Sequence, residues 1–128
     1  MHLLLGTHLL IWTASMPERL SSAAFKLMEQ PQHQLHFSAL SLWEITIIRY
    51  LGRPDFIVDS SLLYRGLIEN SYTELVIKSS YSLALDQIPP IYKDHFDRML
   101  AARVVFEGML LLTSDSVVAQ YPGPIRLV

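Results

Sequence analysis

The sequence predicts an α/β fold: three layers, with a mostly parallel central sheet of four to five short strands covered by helices on both faces. Three observations predict it. Short apolar runs such as Leu3–Leu5 and Met109–Leu112 alternate with longer stretches of helical periodicity. The short runs are continuous rather than alternating, as in strands buried on both faces. At 51% hydrophobic and 17% charged, the 128 residues supply a core for a single domain, 1–128, and argue against disorder.

Taken in order, Leu3 to Leu5 reads as a strand and Thr7 to Ala14 as a helix. Pro17 suits a first helical position, and Leu20, Ala24, Leu27 and Met28 keep helical spacing until Pro31. Leu35 to Phe37 is a short strand. Ser38 reads as the N-cap of a long helix through Trp43, Ile47, Ile48 and Leu51, closed by Gly52. Arg53 to Asp59 is loop. Ser60 to Glu69 is a helix with Leu62, Leu63, Leu67 and Ile68 as its apolar set, and Glu74 to Ile77 a strand. Ser79 to Gln87 is a short helix stopped by Pro89 and Pro90, and Asp94 to Glu107 a helix ended by Gly108. Met109 to Leu112 is the second clearly buried strand, Ser116 to Gln120 a helical turn, and Ile125 to Val128 the last strand. Most of the surface of Trp12, Trp43, Phe56 and Tyr64 is expected in the core.

Several classes of function are disfavoured. A net charge of −2 does not suit a strongly basic nucleic-acid binder, although a local basic patch remains open. Without cysteine there is no disulfide and no thiolate zinc site, which fits a reducing, cytoplasmic location. The N-terminal apolar run is about ten residues against the roughly 20 that span a bilayer, and it has no basic leader, so neither a membrane segment nor a signal peptide is expected. No G-x-S-x-G elbow or phosphate-cradling G-x-x-x-x-G-K-[ST] loop is present. The five histidines form no evident cluster and read as surface or packing residues.

In a parallel sheet, ligands bind beyond the carboxyl ends of the strands, so the residues after each strand carry the most information. Three such segments hold carboxylates: SALSLWE with Glu44, KDHFDR with Asp94 and Asp97, and LLTSD with Asp115. Each has a local explanation. Ser41-Leu-Trp-Glu44 fits a capping box, Asp94 an N-cap with Asp97 at the third position, and Asp115 the cap of the following turn. Together they suggest something else. Helix starts of a parallel sheet gather at one end, and carboxylates crowded there repel unless a cation joins them. Hard oxygen donors suit Mg²⁺ or Mn²⁺, and a metal held by carboxylates activates water and neutralises a phosphodiester's developing charge.

LLLGTHLLIW, SALSLWEITIIRYLG and DHFDRMLAARVVFEGMLLLTSD, in that order and spacing, resemble the successive motifs of PIN-domain ribonucleases, and more closely the VapC toxins of type II toxin–antitoxin pairs. The resemblance implies a PIN-like fold and a Mg²⁺-dependent endoribonuclease that hydrolyses RNA phosphodiesters with metal-activated water. It makes Glu44, Asp97 and Asp115 metal-site acids, with Asp94 a weaker candidate. It also implies a VapB-like antitoxin as partner, received in a groove beside the helices from Ser38 to Glu69, and a homodimer.

The family carries an aspartate after the first strand, where this chain has Gly6. Glycine would also serve a tight strand-to-helix turn. The reading preferred here is a vacated metal ligand, through an engineered or selected change, leaving a folded chain that is inactive or weakened but still binds its partner. Lys93 and Arg98 flank the Asp94–Asp97 segment and are candidate RNA-phosphate contacts, or else balance nearby carboxylates. Thr7, Ser38, Thr113 and Ser114 are hydroxyls near the same edge, suited to turns and caps or to holding water or a phosphate. Two rivals stand beside this reading: a non-catalytic module that binds antitoxin or RNA, and a phosphoacceptor receiver domain. The receiver domain would need an acid pair after the first strand, which LLLGTH does not supply.

Overall fold

The fold is described from a computed structural model covering residues 1–52, 58–84 and 95–128. Five strands form one sheet: β1 (His2–Leu5), β2 (Gln34–Ser38), β3 (Thr73–Leu75), β4 (Leu110–Thr113) and β5 (Ile125–Leu127). Among the described residues, six α-helices connect them: α1 (Thr7–Ser15), α2 (Ser22–Glu29), α3 (Ala39–Tyr50), α4 (Ser60–Glu69), α5 (Ser79–Ala84) and α6 (His95–Glu107). The sheet order is β3-β2-β1-β4-β5 and every pairing is parallel.

That order explains the layers. The chain steps outward from β1 to β2 to β3, then returns past β1 to β4 and β5. Because parallel crossovers are right-handed, the two directions of travel place their helices on opposite faces. Leu3 and Leu5 of β1 accordingly pack with Leu9, Leu10, Ile45, Leu63 and Leu67 of α1, α3 and α4. Leu4, pointing the other way, packs with Leu100, Ala101 and Val104 of α6. These strand leucines are completely buried.

Several expected boundaries move, each for a local reason. The predicted helix from Pro17 divides into a 3₁₀ turn, Pro17–Arg19, and α2, because the Ser21 hydroxyl accepts the Ala24 N–H and starts a new helix. The third strand ends at Leu75 rather than Ile77. Its partner β2 ends at Ser38, opposite Leu75, where the Ser38 side chain caps α3. The Val76 carbonyl instead accepts a 2.8 Å hydrogen bond from Arg103, leaving Val76 and Ile77 exposed. The turn predicted over Ser116–Gln120 is a 3₁₀ turn, Val118–Gln120. Of the expected apolar set on α4, Leu63 and Leu67 are buried while Leu62 and Ile68 face solvent, because one i,i+4 stripe meets the core. Trp43 and Tyr64 are also exposed, contrary to the core expectation. Phe56, most of the Arg53–Asp59 loop and the stretch from Asp86 through Pro89 and Pro90 lie outside the described residues.

Candidate functional site

Register builds the site. Leu5 at the end of β1 pairs with Leu112 near the end of β4, and the Gly6 N–H donates to the Leu112 carbonyl at 2.9 Å. The residues leaving β1 therefore lie beside those leaving β4. Chain travel reverses between these two strands, the place where open α/β sheets form a crevice. A cleft of about 80 Å³ opens there, with Gly6, Thr7 and His8 on one side and Thr113, Ser114 and Asp115 on the other. Glu44 of α3 and Asp97 of α6 complete its polar lining, over a base that includes Leu100, Leu111 and Val118.

The Thr7 hydroxyl lies 2.8 Å from Glu44 Oε1 and 3.0 Å from Ser41 Oγ, within hydrogen-bond reach of both acceptors. Thr7 and Ser41 are buried, so this contact positions the Glu44 carboxylate from beneath. The capping-box reading of Ser41 and Glu44 does not survive: Ser38 caps α3, with its hydroxyl accepting from Leu40, and Ser41 and Glu44 stand inside the helix. Asp97 sits in the first turn of α6, where the helix dipole favours an anion. Asp115 does brace its turn: Oδ1 accepts the Val117 N–H at 2.8 Å, and its own N–H reaches Thr113 Oγ1 at 3.1 Å. The three acids thus line one cleft. Among the described residues, however, no three His, Asp or Glu side chains stand close enough together to hold an ion directly.

Gly6 has φ −64° and ψ 162°, extended backbone open to any residue. The turn does not require glycine, so the tight-turn explanation falls. Gly6 is the N-cap of α1 and contributes no side-chain cap. A Cβ there would lie 3.2 Å from the Leu112 carbonyl oxygen, close enough that the neighbouring backbone must yield by a few tenths of an ångström.

Of the other expected residues, Ser114 lines the cleft. Arg98 is half-buried on α6 and is not among the lining residues, while Lys93 and Asp94 lie outside the described residues. Ser38 is spent on its cap. Arg49 pairs with Asp59 at 3.1 Å, and the same carboxylate caps α4 through the Ser61 and Leu62 N–H groups. The Arg49 hydrogen bond, with those two backbone donors, holds the Asp59 carboxyl below its ordinary range.

Two contacts were not foreseen. His2 and His36 meet across β1 and β2, with Nδ1 and Nε2 2.8 Å apart. His36 is buried on the α6 side. Burial first, then the nearby His2 and Arg103, depress its pKa, with Glu107 opposing. Separately, Trp43 and Phe96, each next to a cleft acid in sequence, form an edge-to-face pair with centroids 5.7 Å apart at 75°. Both contacts depend on long-range placement. The only signal in the sequence is the adjacency of Trp43 to Glu44 and of Phe96 to Asp97.

A second concavity differs in character. A groove of about 640 Å³ runs between the carboxyl half of α1 and the length of α4, lined by Ile11, Met16, Val58, Leu62, Leu63 and Leu67, among others. Tyr72 closes part of it. Burial raises the Tyr72 phenol pKa, and a hydrogen bond with Thr13 opposes the rise.

This α/β architecture has a PIN-like fold, shared with a chain of each of two solved VapBC structures. The structure of VapBC2 from Rickettsia felis bound to a DNA fragment from their promoter matches with a TM-score of 0.72 at 10% identity, over 99% of this chain and 98% of the matched chain. VapBC-1 from nontypeable Haemophilus influenzae matches with a TM-score of 0.62 at 15% identity, over 94% and 91%. At such identities the likeness is one of fold. No protein-family profile and no curated protein sequence matches the chain.

Proposed function

We propose that this chain is a VapC-like toxin of the PIN-domain ribonucleases, built to cleave RNA with Mg²⁺ or Mn²⁺ and weakened by the loss of an acid at Gly6. One observation carries the reading: Glu44, Asp97 and Asp115, on three separate elements, line a single cleft whose wall includes Gly6.

The donor set fits a hydrated hard cation better than a tightly chelated one. Mg²⁺ retains several waters and binds through one or two carboxylates together with phosphate oxygens. A cleft of about 80 Å³ has room for such waters, each needing roughly 10–15 Å³ of such space. Glu44, Asp97 and Asp115 would hold the ion in part through its waters, since the three do not close on one point directly. Once bound, it would supply charge neutralisation for the phosphodiester and acidity to an attacking water. The chain's own groups then have separate tasks. Thr7 fixes Glu44 by hydrogen bonding, and the turn N–H of Val117 fixes Asp115. Ser114, in the cleft lining, would offer its hydroxyl to a phosphate oxygen. The apolar groove between α1 and α4 suits an amphipathic segment of a VapB-like antitoxin.

The test is Gly6→Asp, assayed for RNA cleavage with and without Mg²⁺ or Mn²⁺. The expected gain exceeds the roughly 10–100-fold typical of altering an outer-shell partner of a metal site. Equal rates before and after the change would favour the non-catalytic module, which uses the same groove without cutting.

A further inference from the structure

The cleft is too small for a nucleobase. At about 80 Å³ it falls well below the roughly 300 Å³ at which pockets for small organic ligands begin. It admits waters, an ion and phosphate oxygens, so under the reading above the bases of a bound strand lie outside it. The net charge is −2, and among the described residues Arg49 is tied to Asp59 and Arg103 to the Val76 carbonyl and Glu107, so bases stacked on the protein would add to phosphate contacts made by the remaining cations. Unpaired bases bind by stacking on aromatic side chains.

A candidate surface adjoins two of the cleft acids in sequence. Trp43 precedes Glu44 on α3, and Phe96 precedes Asp97 at the start of α6. Trp43 is 58% exposed, and its edge-to-face contact with Phe96 restrains the indole while leaving much of it open to solvent. The pair bridges the two helices that supply cleft carboxylates. On each helix the aromatic immediately precedes the acid, so the pair and the two carboxylates belong to one stretch of the contact between α3 and α6.

We propose that Trp43, braced by Phe96, is a stacking platform for a nucleobase of single-stranded RNA whose adjoining phosphodiester lies at the Glu44–Asp97–Asp115 cleft. This rests on the phosphodiester reading of the cleft.

The intact chain is assayed by anisotropy with a labelled single-stranded RNA oligomer in Mg²⁺, against the same oligomer carrying abasic sites. Trp43→Ala should weaken binding of the base-containing oligomer about 5- to 150-fold. Trp43→Tyr should restore most of it, and the abasic oligomer should respond little to either change. The chain has two tryptophans, so in a Trp12→Phe background the Trp43 fluorescence should be quenched by RNA and not by the abasic strand. Unchanged RNA affinity in Trp43→Ala, with circular dichroism confirming the fold, overturns the platform while leaving the cleft reading intact. The same holds if Trp43→Ala spares RNA binding and weakens capture of an antitoxin segment, which assigns the indole to a protein interface. If neither this chain nor Gly6→Asp binds RNA, the cleft reading fails and the platform with it.

Discussion

The cleft at the strand ends and the groove between α1 and α4 are both concave, and α1 contributes to each, yet they are built on different principles. Sheet register fixes the cleft. Leu5 opposite Leu112 places Gly6 beside Thr113, and hydrogen bonds from Thr7 and the turn at Asp115 hold its polar groups. It is small and internally satisfied. Helix packing shapes the groove, which is several times larger and keeps Leu62 turned to water. Polar concavities persist in solvent at little cost, whereas apolar surface left in water raises the free energy until something covers it. The contrast is what favours the first as the proposed place for chemistry and the second as the proposed place for a partner.

Four perturbations sharpen that contrast. The largest is Leu63→Ala, which opens a cavity behind the groove and should cost about 2–5 kcal/mol by denaturant titration. A loss no greater than that of a surface substitution would mean the groove wall is not part of the core. Next, Thr7→Val deletes the hydroxyl that contacts Glu44 and Ser41, with an expected cost of about 1–3 kcal/mol because buried Ser41 and half-buried Glu44 lose a hydrogen-bond partner. Metal protection of Gly6→Asp should survive this change only in weakened form, measured as the Mg²⁺-induced rise in Tm.

A smaller effect distinguishes the sheet interior from both sites. The folded-state pKa of His36 is depressed, so the unfolded chain binds more protons below the ordinary histidine range near 6.5. Stability from this source is complete above that pH and is lost as pH falls toward the folded value. His36→Phe should flatten the Tm profile between about pH 7 and 5. An unaltered slope would assign the pH dependence to other groups. The smallest change in stability belongs to Leu62→Ser, within about 0.5 kcal/mol. Its consequence should appear instead as weakened binding of an antitoxin segment, measured by calorimetry.

How much could be read from the sequence follows from the same contrast. Continuous apolar runs identified the strands, and a parallel sheet sends every post-strand residue to one end. Glu44, Asp97 and Asp115 could therefore be grouped without coordinates. The local rule for Glu44 failed because Ser38, three residues before Ser41, was the stronger cap for α3. Features set by where an element loses its neighbour were not legible. Ile77 looks as strand-like as Leu75, but β2 has already ended. Apolar identity alone could not separate Leu63 from Leu62, or mark Trp43 as exposed. The contact of His2 with His36 spans 34 positions and depends on pairing between strands.

Gly6 adopts dihedral angles that any amino acid tolerates. A side chain here would need no change in the course of the chain, only a shift of a few tenths of an ångström in the facing backbone at Leu112. Under the proposed reading, a single substitution would therefore be enough to place a fourth acid beside Glu44, Asp97 and Asp115.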